Sequence, residues 1–238
     1  MLFIDQSTMS IKFREEPCGE LELKAGGLQV LRKAHKPGIP HKDEPKMAFS
    51  AEPLRSLAGR GCWFEMRVDA LAGGEMCPMG LGFTATDPGT LKGTEEEPIK
   101  LPGSAANLPK SYVCGYLRSM YWNGEQIEVD NVFGKLKPAK TFTIGALATV
   151  TGGLELFINR RLVLSYSPED LLNRIDLEQP LWAVLDCAGG LKKGCLIPDS
   201  LPPTPEEASA PEDDEATPDQ PEGAEEGEET AEGEPSEG

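Results

Sequence analysis

The sequence has few of the groups on which catalysis and metal binding depend. Its only histidines, His35 and His41, lie in a Lys- and Pro-rich stretch without the apolar pattern that would hold an imidazole ring in place. Consecutive cysteines are 44, 15, 37, 73 and 8 positions apart, so no C-x-x-C pair exists. Histidine-based hydrolysis is therefore not expected, and the spacing rules out a RING-type zinc site. We predict no catalytic residue, no metal site and no cofactor.

Long apolar runs and nucleotide-binding motifs are also missing. The N-terminus begins with only four consecutive apolar residues, too few for a secretory signal, and no later stretch approaches a membrane span. The sequence holds neither a phosphate-binding glycine loop nor an RNA-recognition signature. We therefore expect a cytoplasmic or nuclear protein with free thiols, no transmembrane segment and no nucleic-acid partner.

The C-terminal region lacks positive charge and aromatic side chains. Residues 201–238 contain fifteen acidic residues and no Lys or Arg, and they account for most of the net charge of −17. Such a segment buries too little apolar surface to offset its loss of conformational entropy on folding. We predict a disordered acidic tail at 199–238, a folded body at 21–198, and an N-terminal extension or first strand at 1–20.

What the body does have is a two-residue hydrophobic rhythm. In 62–68, the apolar residues Cys62, Phe64, Met66 and Val68 share one face, which is typical of a half-buried strand. The segments 79–83, 142–149, 154–158 and 162–166 read as further strands, and glycines in 151–153 predict a hairpin turn. The segment 181–187 is apolar on both faces except at Asp186, so we expect it to be a central, well-buried strand.

These patterns predict an all-β fold, an antiparallel β-sandwich with one short helix. Ser167 is a candidate N-cap for that helix, which would run through about 174. Gly80 and Gly82 lie opposite the apolar face of their strand, which indicates that something bulky approaches closely there. Long loops at 33–46 and 88–111 are the expected place for a binding site.

Four segments resemble one known family, in the right order. They are MAFSAEPL at 47–54, LGFTATDP at 81–88, LPGSAANL at 101–108 and PLWAVLD at 180–186, the last followed by Gly189. They resemble the FS-x-x-PL, LGFT-x-x-DP, LP-x-x-A-x-DL and PLWA motifs of the neuralized homology repeat. The resemblance covers roughly 21–198, and GLELFIN at 153–159 is similar to a hairpin strand of the related SPRY domains. The resemblance implies a SPRY- or concanavalin-like jelly-roll sandwich.

The chain also departs from that family. Ser56–Gly61 replaces the usual Gly-Glu, the loop 89–100 is expanded, and the sequence contains no RING or SOCS box. The best-known members are ubiquitin-ligase proteins that recognise a substrate tail, such as that of the Notch ligand Delta, through this repeat. The resemblance therefore implies a non-catalytic module that binds a protein or peptide, including substrate recognition for a ubiquitin ligase assembled in trans.

The candidate partner-binding residues lie in or beside the predicted loops. They are Asp87, Asn107, Tyr112, Tyr121, Trp122 and Asn123. Tyr121 and Trp122 stand in a polar stretch, and exposed aromatic residues of this kind often anchor partners. The competing interpretation is that both rings pack beneath the 88–111 loop. Trp182 is expected in the core, and Trp63 fits either environment.

A second function remains open at the level of sequence. Lectin-like sandwiches share this architecture, so carbohydrate or phospholipid-headgroup binding, with peripheral lipid contact, is the alternative to protein binding. We expect a monomer in either case. The identity of the partner and the role of the tail do not follow from the residues.

Overall fold

The computed structural model describes residues 11–15, 21–32, 46–71, 79–91, 102–133, 141–187 and 190–209. The strands are β1 (Leu21–Lys24), β2 (Gln29–Arg32), β3 (Met47–Phe49), β4 (Ser56–Leu57), β5 (Gly61–Leu71), β6 (Gly80–Thr84), β7 (Ser111–Tyr116), β8 (Ser119–Trp122), β9 (Glu125–Glu128), β10 (Phe142–Thr149), β11 (Leu154–Ile158), β12 (Arg161–Tyr166), β13 (Trp182–Asp186) and β14 (Leu191–Leu196). A five-residue helix, α1, spans Pro205–Ser209.

The strands form two antiparallel sheets, which confirms the predicted sandwich. The eight-stranded sheet has the order β1-β2-β14-β5-β10-β11-β12, with β4 paired to the beginning of β5. The six-stranded sheet has the order β3-β13-β6-β7-β8-β9. The hairpin of β10 and β11 forms as predicted, and β14 leaves β13 to join the opposite sheet.

The main core lies between the sheets and follows the two-residue rhythm. Phe64 and Met66 of β5 are buried there, as are the other members of the predicted apolar face. The ring of Phe64 meets that of Phe83 from the opposite sheet edge-to-face, with centroids 5.5 Å apart. Each large apolar side chain buried in this way stabilises the fold by about 1.5–3 kcal/mol.

Strand β13 is central, as predicted from a sequence that is apolar except for Asp186. It pairs with β3 on one side and β6 on the other, and all five of its residues are buried. Leu185 belongs to the main core, whereas Val184 points to the outer face of the six-stranded sheet. Trp182 is buried, in agreement with the sequence analysis.

Both glycines of β6 have close neighbours: the Tyr116 side chain lies over Gly80, as expected, whereas backbone atoms of β7 lie against Gly82. A Cβ at Gly80 would stand 2.2 Å from the hydroxyl oxygen of Tyr116, and one at Gly82 would stand 2.0 Å from the carbonyl oxygen of Tyr112. Both distances are far below van der Waals contact, so no larger residue fits at either position.

The outer face of the six-stranded sheet is covered by the segment 102–110. We call the apolar contact between them the loop-side cluster: Met47, Phe49, Ala105, Leu108, Val113 and Val184. The carboxylate of Asp186, only 1% exposed, accepts hydrogen bonds from the Ser104 hydroxyl (2.8 Å), the Ala105 amide (2.8 Å) and the Tyr116 hydroxyl (2.9 Å). These bonds fix the segment to β13.

The outer face of the eight-stranded sheet is covered by the C-terminal strap, residues 197–209. Beneath it lies the strap-side cluster: Trp63, Leu147 and Phe157, with Ala208 packed against them. The Trp63 indole donates to the Ser200 hydroxyl at 2.9 Å, and Ser200 in turn donates to the Glu65 carboxylate. Arg160 donates to Glu65 and to the Leu201 carbonyl, at 3.2 Å each.

The strap differs from the sequence prediction, which starts a disordered tail at 199. The chain keeps contact with the sheet as far as Ala208 because Trp63 and its neighbours supply an apolar surface and hydrogen-bond partners. The rest of the predicted tail, 210–238, lies outside the described residues, as do 1–10, 33–45 and most of the expanded loop 89–100.

The short helix predicted at 168–174 is a single 3₁₀ turn at Leu171–Asn173, so its predicted length is wrong. The cap is Asp170 and not Ser167: the Asp170 carboxylate accepts from the Leu172 amide at 2.9 Å. A cap this late leaves three residues before Arg174 returns to extended backbone. Within the described ranges, no helix is long and apolar enough to cross a membrane.

Candidate partner-binding surface at one end of the sandwich

Turns from both sheets meet at one end of the sandwich, which we call the loop end: residues 85–91, 102–110, 123–124, 150–153 and 167–180. The Ala85 amide donates to the Lys110 carbonyl at 2.9 Å within the six-stranded sheet. The Trp122 indole crosses between the sheets and donates to the Asn173 carbonyl at 2.6 Å. The loop end is thus one connected surface.

Asp87 lies at the loop end, where it also caps a turn. Its carboxylate accepts from the Gly89 amide at 2.7 Å and stands 3.8 Å from the Arg14 guanidinium. Its carbonyl accepts from the amide and the hydroxyl of Thr90. The side chain remains half exposed, so a partner could still reach it.

Asn107 and Asn123 are both exposed at this end. Asn107 closes a 3₁₀ turn that begins after Ser104. Asn123 occupies the left-handed region, with φ of 52°, in the turn between β8 and β9, and its side chain accepts from the Lys110 amide at 3.1 Å. Together with Asp87, they remain predicted contact residues.

Tyr112 and Trp122 have a supporting position. Trp122 is 4% exposed and its ring lies between Tyr112 and Tyr166, at centroid distances of 4.8 and 4.9 Å. Burial, followed by the charge of Asp176, raises the pKa of the half-buried Tyr112 hydroxyl. The Trp122 ring is therefore not at the surface, and it holds the loop that contains Asn173.

Tyr121 and Trp122 are neighbours in strand β8, so their side chains point to opposite faces of the sheet. No strand was predicted for this polar stretch. The Tyr121 ring packs edge-to-face on Tyr116 at 5.2 Å, against the loop-side cluster. For Tyr121, the structure therefore supports the interpretation that the ring packs beneath the 88–111 loop. A half-buried ring edge remains.

The most exposed apolar side chains at the loop end were not among the predicted residues. Leu172 is 92% exposed and Leu171 is 69% exposed, and Val150, in the turn that follows β10, is 55% exposed. The sequence did carry a signal: two adjacent leucines in the polar stretch 167–178 do not fit a strand rhythm.

The loop 167–178 that displays these leucines is held at several points. Ile175 is buried, and its amide donates to the Gly152 carbonyl at 2.9 Å. The Asp170 carboxylate accepts from the Leu172 amide and the Asn173 side chain. The Asp176 carboxylate accepts from the Glu178 amide at 2.9 Å. The leucines are therefore presented by an ordered turn, which lowers the entropic cost of binding.

Reactive groups are not concentrated here. In the part of the chain that the structure describes, no three His, Cys, Asp or Glu residues gather closely enough to hold a metal ion. The described cysteines are free thiols, and burial raises the pKa of Cys114 to about 12. The loop end offers apolar side chains and carboxylates, a composition suited to binding.

Solved structures identify the architecture. The crystal structure of the neuralized NHR1 domain of Drosophila melanogaster has a TM-score of 0.54 at 17% identity, covering 80% of this chain and 99% of that domain. The fold is similar to that of a neuralized homology repeat. This NHR-like fold also matches the solution structure of the NHR domain in Drosophila Neuralized, with a TM-score of 0.49, 18% identity, and coverage of 82% of this chain and 96% of that one.

A SPRY-type structure is also similar to the NHR-like fold. The TRIM65 PSpry domain has a TM-score of 0.48 at 17% identity, covering 79% of this chain and 89% of that domain. No family model matches the sequence, and no curated protein sequence matches it. The likeness therefore concerns the fold, and function has to be argued from the surface of this chain.

Proposed function

We propose that this chain is a protein-interaction module that recognises a partner protein or peptide through the loop end. The observation that carries the proposal is the pair Leu171 and Leu172, 69% and 92% exposed on an ordered turn. Large apolar side chains kept in solvent by a structured loop commonly mark contact sites. The NHR-like fold supports this proposal, since it presents turns of both sheets at one end.

Binding, without chemistry on the bound molecule, is the activity that these groups favour. Apolar contact supplies most of the free energy of association, and the surrounding polar residues set its orientation. Asp87, Asn107 and Asn123 provide such polar groups on neighbouring turns. Recognition of substrates for a ubiquitin ligase assembled in trans is the finer form of the proposal.

The test is proximity labelling in cells with the full chain. The binding variant is Leu171→Ser/Leu172→Ser, and the matched control is Leu117→Ser/Leu201→Ser, which removes two exposed leucines away from the loop end. We expect one set of labelled proteins with the wild type and the control, and its loss with the binding variant. An identical set for all three chains would overturn the proposal.

The finer proposal has a separate readout in the same experiment. If the chain recognises substrates for a ligase, subunits of that ligase appear in the labelled set, and proteasome inhibition increases the recovery of the other partners. A labelled set that depends on Leu171 and Leu172 but contains no ligase component would leave a binding module without that role.

A further inference from the structure

The charges around the exposed leucines indicate which partner they accept. The loop 167–178 holds four carboxylates, on Glu169, Asp170, Asp176 and Glu178, and one guanidinium, on Arg174. Across the described ranges, no Lys or Arg forms an ion pair with any of the four. The apolar turn is thus flanked by negative charge that the fold itself leaves uncompensated.

Several carboxylates elsewhere on the sandwich form ion pairs, whereas the four in the loop 167–178 form none with the described residues. On the outer face of the eight-stranded sheet, Glu65 pairs with Arg160 at 3.2 Å, and Asp69 lies 3.7 Å from the ammonium of Lys193. Lys110 at the loop end and Arg55 beside it are exposed, but neither pairs with a carboxylate of the loop 167–178.

This pattern disfavours several kinds of occupant. Anionic lipid surfaces and nucleic acids would be repelled by the four carboxylates. The chain's own C-terminal region, 201–238, carries no Lys or Arg and is repelled in the same way. Its basic stretch 33–45 connects Arg32 to Lys46, and β2 and β3 place both residues at the opposite end of the sandwich.

We propose that the loop end binds a segment of another protein in which one or two large apolar side chains are flanked by Lys or Arg. The apolar side chains cover Leu171 and Leu172, and the cations meet Glu169 and Glu178 at the rim. Apolar burial supplies affinity, whereas the charges select the partner and speed its approach. This inference rests on the proposed function and names the class of partner for the same surface.

The experiment selects random short peptides, displayed on phage, against the full chain. We expect enriched peptides to combine a large aliphatic or aromatic residue with neighbouring Lys or Arg. Their affinity should fall at least about tenfold in Leu172→Ser, because a buried leucine stabilises a contact by more than the free energy of one tenfold step. The exposed position predicts that this variant folds normally.

The charge component is measured with matched variants. Glu169→Gln/Glu178→Gln should weaken the selected peptides by about three- to tenfold, as expected for two exposed ion pairs. Glu22→Gln/Glu206→Gln removes two exposed carboxylates away from the loop end and should change the affinity by less than about twofold. Neither Glu169 nor Glu178 uses its carboxylate in a hydrogen bond to the described residues, so folding should be unaffected.

The outcomes separate this inference from the proposed function. Peptides that depend on Leu172 but lack basic residues would overturn the inference and leave the binding function standing. Selection of no peptide that depends on Leu172 would overturn the inference, and unchanged labelling in cells with the leucine variant would overturn the function as well. Sedimentation with phosphatidylserine vesicles that is lost in Leu172→Ser would contradict a basic protein partner.

Discussion

Two of the apolar surfaces outside the main core differ in how far the chain covers them. The strap-side cluster of Trp63, Leu147 and Phe157 is covered by residues 197–209 and is almost fully buried. Leu171 and Leu172 at the loop end stay exposed, although the loop that carries them is anchored. Residues 197–209 extend past the last strand and cover the strap-side cluster, whereas nothing in the described residues covers Leu171 and Leu172. The surface around these two leucines is therefore the candidate for a partner.

The two surfaces also differ in their ion pairs. On the strap side, Arg160 bridges the Glu65 and Glu207 carboxylates, and Asp69 pairs with Arg67 and Lys193. Around the exposed leucines, the carboxylates cap turns or face solvent. The comparison predicts that changes on the strap side alter stability, whereas changes at the loop end alter binding.

The largest expected effect is the removal of the strap. A chain that ends at 198 should be less stable than one that ends at 209 by about 4 kcal/mol, because Trp63 and Phe157 return to solvent. Urea denaturation of chains ending at 198, 209 and 238 measures this difference. Equal stability of the two shorter chains would show that the strap does not hold the sheet.

The second-largest expected effect on stability comes from Asp186, which holds the segment 102–110 to β13. Asp186→Ala leaves the Ser104, Ala105 and Tyr116 donors without their buried acceptor and should destabilise the fold by about 2 kcal/mol. Tyr116→Phe removes a single donor and should cost about 1 kcal/mol. Thermal unfolding of both variants and of the double variant tests whether the two changes are coupled. Additive effects would contradict a shared network.

The third effect is a pH dependence on the strap-side face. The hydrogen bond from Arg67, together with the positive charges of Arg67 and Lys193, holds the pKa of Asp69 below its usual value. The folded pKa is the lower one, so this contribution is present above the unfolded carboxyl pKa and is lost as the pH falls through the folded value.

The variant Asp69→Asn isolates that contribution. It should be less stable than the wild type by less than about 1 kcal/mol at neutral pH, since Arg67 is half exposed and the pair is partly screened. The difference should shrink as the solution is acidified below about pH 4. A difference that grows on acidification would contradict the sign of the shift.

The smallest expected effect on stability belongs to the proposed contact residues. Leu171→Ser/Leu172→Ser should change the free energy of unfolding by at most about 0.5 kcal/mol, because both side chains are exposed. Leu147→Ser on the strap side should cost about 2–4 kcal/mol for the same chemical change at a buried site. Similar losses of stability for the two variants would show that the two surfaces do not differ in burial.

Local sequence predicted the strands whose alternation or apolar content is strong. The burial of a strand's two faces can be predicted within a few residues, because its side chains repeat every two positions. This holds for the alternating segments 62–68 and 142–149 and for 181–187, which is apolar except for Asp186. Strands β8 and β9 were missed although Asn123-Gly124 is a strong hairpin signal. The polar residues around it obscured the alternation of Met120 and Trp122.

The strap and the site could not be read from local pattern. The strap has few apolar residues and many prolines, and its order comes from contacts with Trp63 and Arg160, which are distant in sequence. Whether Leu171 and Leu172 are covered likewise depends on which elements lie opposite them. Trp122 resembled an exposed anchor for the same reason, since Tyr166 and Asn173 bury it from another part of the chain.

Site-specific photocrosslinking tests whether partners contact the loop end. A benzoylphenylalanine in place of Leu172 is compared in cells with one in place of Leu117, which is exposed at the opposite end. If partners bind at the loop end, covalent adducts with partner proteins form at position 172 and none form at position 117. Adducts at 117 with none at 172 would contradict binding at the loop end.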